Sequence, residues 1–517
     1  MLPRLAAAAT LLWLSACTTL GPDYQPPRVE WLEHWRPSAY AAAVPPGTGG
    51  EAELRFWWHL FSDPALNRLI EAARDSNLSL RIAGLRVLES RALLGIAGSN
   101  LYPQLQQIGS AASYTRTKRS GGRLPSDTDS TINYQLGFNL GWELDFWGRF
   151  RRGIESADAD FFSSIANQQQ MQVLVTAQVA ELYFTYRTTE ARIRIARSNA
   201  DLQKRSYQIT DRLYRSGAQS ELDLQQAKTQ YLATLASIPQ LEATLVKTRN
   251  ALSALLGRPP GALPELAEAP DYRLPGIEAT RIQGIPALLL ARRPDVRVAA
   301  WNAAAQSARI GMAEADFYPY VSLAGAFGWS GATSGDTPDY RSLSLGPTLQ
   351  WNIFDYGRIG NNVRVQDARL QQLIEQYRDT VLQAAREVDD AAISILKTAE
   401  QQRILDQSVV AARRALEIAN KRYQEGYADF QRVLDAQRAL FSQEEVQLGN
   451  HGSYLTALVG LYKGLGGGWR FTPVEQLIPE SVRRTMRERS DWGDLLDRPI
   501  PDTTAGPPPP PTVQRNE

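Results

Sequence analysis

Residues 132–144, which read INYQLGFNLGWEL, decide the fold of this 517-residue chain. Every second residue from Ile132 to Leu144 is apolar, and the residues between them are polar or glycine. Because a strand points successive side chains to opposite faces, this stretch has one apolar and one polar face. Residues 342–353, which read SLSLGPTLQWNI, repeat the pattern. About 9–11 residues of a tilted strand cross a bilayer, so both stretches are predicted to be membrane strands.

Each of these two strands follows a second, less regular strand. The four predicted strands cover about residues 104–116, 131–144, 320–330 and 342–353. Aromatic residues lie at the ends of the regular strands, where membrane proteins place them at the lipid–water interface; they are Trp142, Phe146, Trp147, Trp351, Phe354 and Tyr356. A soluble β-sandwich shows the same alternation, so the strands alone leave that alternative open.

Four strands are too few to close a membrane barrel, because the smallest such barrels have about eight strands. An open sheet edge in lipid would leave costly unpaired backbone amides. The barrel must therefore combine strands from several chains, and three chains supply twelve. The sequence thus predicts an α+β membrane protein whose β-barrel closes only when several copies combine their strands. No apolar stretch of about 18 residues follows the N-terminal region, so no transmembrane helix is expected.

The two halves of the chain repeat one another. The alignment shifts once, because the first half has a longer loop through residues 118–129. The first repeat is predicted at 61–257 and the second at 291–465, each as one structural unit. The residues that match are Tyr102-Pro103 with Tyr318-Pro319, Trp142 with Trp351, Gly148 with Gly357, and Gly217 with Gly426.

Long helices follow the strands in each repeat. The sequence has no proline at 126–238 or 348–472, and apolar residues show helical spacing from about residue 149 to 215 and from 358 to 424. About 65 residues at 1.5 Å each make a helix of roughly 100 Å, which needs partners along its length. Glycines at the ends of both stretches are predicted to reverse the chain. A closed helical bundle is the alternative, but it does not account for the strands.

The N-terminus carries an export signal. An apolar run at residues 5–14 is too short to cross a bilayer, and it ends in Leu14-Ser15-Ala16-Cys17. These residues resemble the bacterial lipobox, which implies a signal peptide at 1–16, lipid on Cys17 and a lipidated segment at 17–60. Thr18 is not the aspartate that retains lipoproteins at the inner membrane, so an outer-membrane location is expected. A chance cysteine behind an ordinary signal peptide is the alternative.

The composition excludes other classes of protein. Lys and Arg total 56 and Asp and Glu total 55, so the net charge of +1 is too small to attract nucleic acid. One Cys and three His exclude a disulfide framework and disfavour a zinc site, so no metal and no cofactor besides the covalent lipid are expected. The sequence has no phosphate-binding Gly-Lys-Ser/Thr loop and no nucleophile motif. An enzyme is therefore not expected.

Five short motifs carry a family resemblance. They are RPDV at 293–296, ARIG at 308–311 with FYP at 317–319, WNIFDYGR at 351–358, LDAQR at 434–438 and LGGGW at 465–469. In this order, and with the lipobox, they resemble the TolC-like outer membrane factor family, in the lipoprotein branch (OprM/NodT type) of efflux-pump outer membrane subunits. The resemblance covers nearly the whole mature chain. One departure is Ala300, where the family usually has glutamate.

The resemblance implies a trimer whose twelve-stranded barrel continues into a long periplasmic α-helical barrel. Segments 258–290 and 466–501 would form an equatorial belt, and the proline-rich tail at 502–517 is expected to be disordered. The expected function is that of an outer-membrane channel in a tripartite efflux pump. It would passively conduct substrates from a periplasmic adaptor and an inner-membrane pump of the RND type to the exterior. A non-conducting lipoprotein, serving as a helical spacer or adhesion rod, is the alternative, and the substrates stay open.

Two sets of site residues follow from the resemblance. Tyr423, Asp435 and Arg438 are expected to form the periplasmic gate. Gly217 and Gly426 mark the hairpin tips at which the adaptor would dock. The first repeat has uncharged residues at the positions that match Asp435 and Arg438, so only the second hairpin carries the charged pair. An ordinary ion pair on a solvated helix face is the alternative.

Overall fold

The computed structural model describes residues 19–29, 31, 38–43, 54–118, 128–266, 272–276, 290, 292–333 and 339–501. The predicted signal peptide at 1–16, Cys17 and the proline-rich tail at 502–517 lie outside the described residues, as does much of the segment 258–290.

From the helix that precedes the strands onward, the order of helices and strands is the same in the two halves of the chain. The first half contains α1 (Ser38–Ala43), a 3₁₀ helix (Trp57–Phe61), α2 (Pro64–Ser76), α3 (Leu78–Ser99), β1 (Leu105–Lys118), β2 (Thr128–Glu143), α4 (Arg149–Arg215) and α5 (Glu221–Leu255). After a 3₁₀ helix (Pro264–Leu266), the second half contains α6 (Pro294–Ala315), β3 (Tyr320–Ala332), β4 (Tyr340–Gln350), α7 (Arg358–Gln424) and α8 (Phe430–Gly464). Two short helices, α9 (Val474–Leu477) and α10 (Glu480–Arg489), complete the described chain.

The four strands form one antiparallel sheet in the order β1-β2-β3-β4. The central strands β2 and β3 pair directly, with Phe138 opposite Phe327, and so join the two halves of the chain. β1 and β4 are the edge strands. β4 ends at Gln350, before the predicted end at residue 353, because the chain leaves the sheet at Trp351.

A tryptophan fixes the end of each pair of strands. Trp142 Nε1 donates to the carbonyl of Leu101 at 3.1 Å, and Trp351 Nε1 donates to the carbonyl of Phe317 at 2.9 Å. Both donors and both acceptors occupy matching positions in the two repeats. The same hydrogen bond therefore closes each unit.

Each repeat contains a helical hairpin, α4 with α5 in the first repeat and α7 with α8 in the second. The end of the second helix of each hairpin, α5 or α8, contacts the residue that precedes α3 or α6 of the same repeat. Asn77 caps α3 by accepting from Leu80 N–H at 3.0 Å, and its Nδ2 donates to the carbonyl of Leu255 at the end of α5, at 2.8 Å. In the second repeat, Arg293 donates to the carbonyl of Gly464 at the end of α8. These contacts satisfy carbonyls that helix ends otherwise leave without partners. The sequence predicts one helix over residues 64–100; instead α2 and α3 are separate, because Asn77 is extended.

The main hydrophobic core lies at the level of these helix joints. It combines buried residues of the 3₁₀ helix, α2, α4, α7 and α8. Aromatic contacts hold it together: the rings of Phe61 and Phe184 are 4.6 Å apart, and Trp57 stacks on Tyr462 at 5.5 Å. The core therefore fixes the two hairpins relative to the N-terminal helices.

Candidate functional site

The N-terminal segment, residues 19–29, lies where the sheet meets the long helices. The N–H of Leu20 donates to the carbonyl of Trp147 at 3.2 Å. The segment also lies against Gly148, where an added Cβ would come within 2.8 Å of its backbone. Cys17 lies outside the described residues, yet it precedes the segment by only two positions. The predicted lipidation residue therefore stands two positions before a segment that lies at the junction of sheet and helices.

Arg152 of α4 holds this segment against the helices. Its guanidinium donates to the carbonyls of Leu20 at 2.9 Å and Gly21 at 3.0 Å, and to the carboxylate of Asp23 at 2.9 Å. The residue is 3% exposed, and Glu155 accepts a further hydrogen bond at 2.7 Å. Burial by itself lowers the pKa of Arg152, but the two carboxylates raise it overall. The side chain is thus a buried cation that is fully partnered.

A contact between two glycines brings the segment close to α6. Gly21 packs on Gly311 so tightly that neither residue has room for a Cβ. An added Cβ on Gly311 would meet the carbonyl of Leu20 and lie 2.9 Å from Cγ of Arg152. Only glycine permits such a close backbone approach. This contact gives a structural reason for the glycine of the ARIG motif.

The sheet exposes a continuous row of apolar side chains. Leu343, Leu345 and Leu349 on β4 are 80%, 68% and 67% exposed, and their even spacing places them on the same face. Large apolar patches are rarely left in contact with water. Among the helices in the described ranges, none combines the length and the hydropathy that a membrane span requires.

The two hairpin tips have the same backbone conformation. Gly217 and Gly426 have φ of +75° and +79°, and nothing lies within 4 Å of a Cβ added to either. Their N–H groups donate to the carbonyls of Tyr214 at 2.9 Å and Tyr423 at 3.1 Å, which ends α4 and α7 in the same way. The left-handed conformation is the one that glycine accepts at helix ends. Both tips are therefore accessible in the chain.

The predicted gate residues fall into two groups. Asp435 and Arg438 lie together on α8, with a 3.6 Å ion pair, and Arg438 Nε also donates to Gln230 of α5 at 2.6 Å. Tyr423, at the end of α7, is separate from that pair: its hydroxyl accepts from Gln219 Nε2 at 3.2 Å. Burial raises the pKa of Tyr423. Both groups therefore connect the second hairpin to the first.

Further polar pairs join the hairpins and were not among the predicted site residues. They connect the first long helix to the second returning helix along one line. Their donors and acceptors on α4 recur at every seventh residue, a spacing that keeps them on the helix face next to a packed partner. That spacing is the sequence signal for them. The pairs are Arg192–Glu445 at 2.8 Å, Asn199–Glu444 at 3.4 Å and Ser206–Gln437 at 2.9 Å.

The sequence matches one protein family over most of its length. The model of the outer membrane efflux protein family matches residues 69–258 and 285–467. The pyoverdine export outer membrane protein OpmQ of Pseudomonas putida is 32% identical over 419 residues, covering 80% of this chain and 88% of OpmQ. The probable outer membrane lipoprotein SilC of Salmonella typhimurium is 29% identical over 481 residues, covering 90% of this chain and 99% of SilC.

The fold matches a solved structure in the same way. The outer-membrane channel OprN superposes with a TM-score of 0.75 at 33% identity, covering 87% of this chain and 99% of OprN. The shared fold is mostly helical with four strands per chain. The chain therefore belongs to the outer membrane efflux protein family, and it is an outer-membrane efflux channel.

Proposed function

We propose that this channel works as a homotrimer, in which twelve strands form a barrel in the outer membrane and the helices form a periplasmic duct. The observation that carries the proposal is that the sheet and the helix layer end together on both sides. β1 and β4 are the edge strands. α4 packs against α3 and α5 and also against α6 and α8, whereas α7 packs against α6, α8 and the short helix α1.

The two long helices differ in burial: α7 is much more exposed than α4, as expected if α7 packs against a neighbouring copy. α4 and α7 occupy matching positions in the repeats, and each has 67 residues. Twenty-six residues of α4 are buried, against ten of α7. The apolar residues Leu382, Ile404 and Val410 of α7 are 50%, 63% and 67% exposed. A neighbouring copy would cover these exposed apolar residues of α7.

The opposite side of the layer offers the complementary surface. On α3, Leu78, Ile82, Leu93 and Ile96 are 59%, 51%, 54% and 62% exposed. Burying one such side chain contributes about 1.5–3 kcal/mol. A head-to-tail arrangement covers both surfaces in every copy only when the ring closes. Three copies also bring β1 and β4 of neighbours together and give twelve strands, so no sheet edge is left in lipid.

Lipid on Cys17 would hold the trimer to the membrane at the level where the sheet meets the helices. Several acyl chains on one residue give stable anchoring, whereas a single chain gives only marginal anchoring. The apolar row on β4 would face lipid and the polar face would line water, as conduction requires. Transport through the duct would be passive, and an inner-membrane pump of the RND type would supply the energy through a periplasmic adaptor.

The adaptor would dock at the hairpin tips, Gly217 and Gly426. The gate would stay closed while Tyr423, Asp435 and Arg438 keep the second hairpin bound to the first. Exposed polar contacts of this kind are each worth about 0.2–1 kcal/mol. Closure would therefore depend on their sum over three copies, and contact with the adaptor could offset it.

The experiment combines mass measurement with electrical recording. The purified mature protein in detergent is expected to be a trimer by native mass spectrometry and to conduct ions in planar bilayers. A water-soluble monomer would refute the assembly, and a trimer without conductance would favour the spacer or adhesion rod.

The double variant Asp435→Ala with Arg438→Ala is expected to raise the single-channel conductance, because it removes the ion pair and the contact between hairpins. The matched control removes Arg414 and Glu417, an exposed pair on α7 with a 2.9 Å separation, and should leave the conductance unchanged. If both double variants have the same conductance, Asp435 and Arg438 do not form the gate.

A further inference from the structure

A charged cleft lies near the helix joints, between α2, the start of α3, the middle of α4 and the chain that follows α8. Its volume is about 410 Å³, within the range of about 300–1,000 Å³ that small-molecule sites occupy. Three arginines and two acids line it together with polar amides; the charged residues are Arg74, Arg81, Arg470, Asp75 and Glu475. We call this the equatorial cleft. It is distinct from the gate and from the hairpin tips.

The charged groups of the equatorial cleft do not pair with one another. Within the described ranges, none of the three arginines has a carboxylate oxygen within 4 Å. Among the buried arginines, Arg91 donates to three backbone carbonyls instead, and four others have such partners at 2.7–3.1 Å. They are Arg152 with Asp23, Arg187 with Glu190, Arg293 with Asp295, and Arg483 with Glu480. No acid of the described chain therefore pairs with the three arginines of the cleft.

Arg74 lies between the core and the cleft. Its guanidinium carbon is 5.2 Å from the centre of the Trp58 ring, and its Nη2 donates to Gln172 at 3.0 Å and to the carbonyl of Gly468 at 3.3 Å. Burial, and then repulsion from Arg470, lowers the pKa of Arg74 to about 10. The carboxylates of Asp75 and Glu71 raise the pKa of Arg74 by less than burial and Arg470 lower it, so a carboxylate bound between the two cations would stabilise them.

Hydrogen-bond donors in the equatorial cleft are also unused. Gln168 Oε1 accepts from Gln172 at 3.0 Å, and its Nε2 is accessible to solvent and donates to no acceptor in the described part of the chain. The Nε of Arg81 is buried and likewise lacks an acceptor there. Native proteins pair nearly all buried donors. An oxyanion in the cleft would accept from these groups.

We propose that the equatorial cleft binds a zwitterionic α-amino-acid centre, either of a free amino acid or at the end of a peptide. The carboxylate would lie between Arg74 and Arg470, because a guanidinium binds a carboxylate through two parallel hydrogen bonds. The ammonium would lie against Asp75 and Glu475. The two acids would repel a dicarboxylate, and the three arginines would repel a diamine. Only a ligand with both charges therefore matches the lining.

Three compounds with the same seven-carbon chain test this proposal by calorimetry on the purified protein in detergent. Diaminopimelate carries both charges at each end, pimelate carries only carboxylates, and 1,7-diaminoheptane carries only amines. Diaminopimelate is expected to bind at least ten times more tightly than either of the others. A soluble peptide that ends in a free diaminopimelate residue is measured in the same way. The tighter binder of the two shows whether the cleft prefers a free amino acid or the end of a peptide.

Two variants assign the binding to the cleft. Arg470→Ala is expected to weaken diaminopimelate binding at least tenfold; its side chain is exposed and makes no hydrogen bond in the described structure, so the fold should persist. Glu475→Gln should weaken diaminopimelate but not pimelate. Arg484→Ala is the matched control, since Arg484 is exposed on α10 outside the cleft.

Absence of diaminopimelate binding at millimolar concentration would overturn the proposal. So would equal affinity in the wild type and Arg470→Ala, or pimelate binding as tightly as diaminopimelate. None of these outcomes depends on whether the trimer conducts.

Discussion

Replacing Gly311 by alanine is expected to detach the N-terminal segment, although alanine is the better helix former. In an ordinary helix this change stabilises by about 1 kcal/mol. Here the new Cβ would meet the carbonyl of Leu20 and lie 2.9 Å and 3.0 Å from Cγ and Nε of Arg152. The hydrogen bond between Arg152 and Leu20, now 2.9 Å, must then lengthen or break. A hydrogen bond to a charged group contributes about 1.5–3 kcal/mol, so docking should weaken roughly 10- to 100-fold.

Trypsin cleavage at Arg28 measures this docking, because Arg28 is an exposed residue of the N-terminal segment. When detachment is fast relative to cleavage, the cleavage rate follows the detached fraction. Gly95 is the matched control, since it occupies the corresponding position in the first repeat and nothing lies within 4 Å of a Cβ added there. Gly95→Ala should leave cleavage unchanged. Equal cleavage rates in the wild type and Gly311→Ala would refute the steric reasoning.

Three further predictions concern the joints, the hairpins and the C-terminal segment. Asn77→Ala removes a helix cap and should cost about 1 kcal/mol, seen as a lower melting temperature; an unchanged melting curve would contradict it. Gln230→Ala removes the acceptor of Arg438 and should raise channel conductance in bilayers, though less than loss of the ion pair itself. Hydrogen bonding from Arg487 holds the pKa of Asp497 below its usual value, so its stabilisation is present above about pH 4 and is lost as the pH falls through the lower folded-state pKa. The melting temperature of Asp497→Asn should therefore depend less on acidic pH than that of the wild type.

Local signals made the long helices predictable from the sequence. The predicted ranges 149–215 and 358–424 agree with the bounds of α4 and α7. Glycine with positive φ stands immediately before each helix, at Gly148 and Gly357, and just beyond its last turn. Such residues end or begin helices through their own backbone preference. Their positions therefore need no knowledge of the tertiary structure.

Contacts between distant segments could not be predicted in this way. The sequence presents Arg152 as one of several arginines in the first turn of a helix, and only the fold brings residues 20–23 to it. The contact of Gln230 with Arg438 likewise depends on how the two hairpins pack side by side. The break at Asn77 is a tertiary effect too, because its amide serves the end of α5. Helical periodicity identifies faces but does not identify partners.

The hydrogen bond between Leu20 and the carbonyl of Trp147 would limit where the proposed lipid is attached relative to the sheet. Leu20 follows Cys17 by three positions, and a fully stretched chain of three residues reaches about 11 Å at most. A lipid on Cys17, as proposed, would therefore be attached to the chain within this distance of Leu20, near the strand-to-helix boundary. The short segment from residue 17 to residue 20 would limit the distance between the lipid attachment point and the sheet. Each residue inserted into this segment would add about 3.5 Å to that distance.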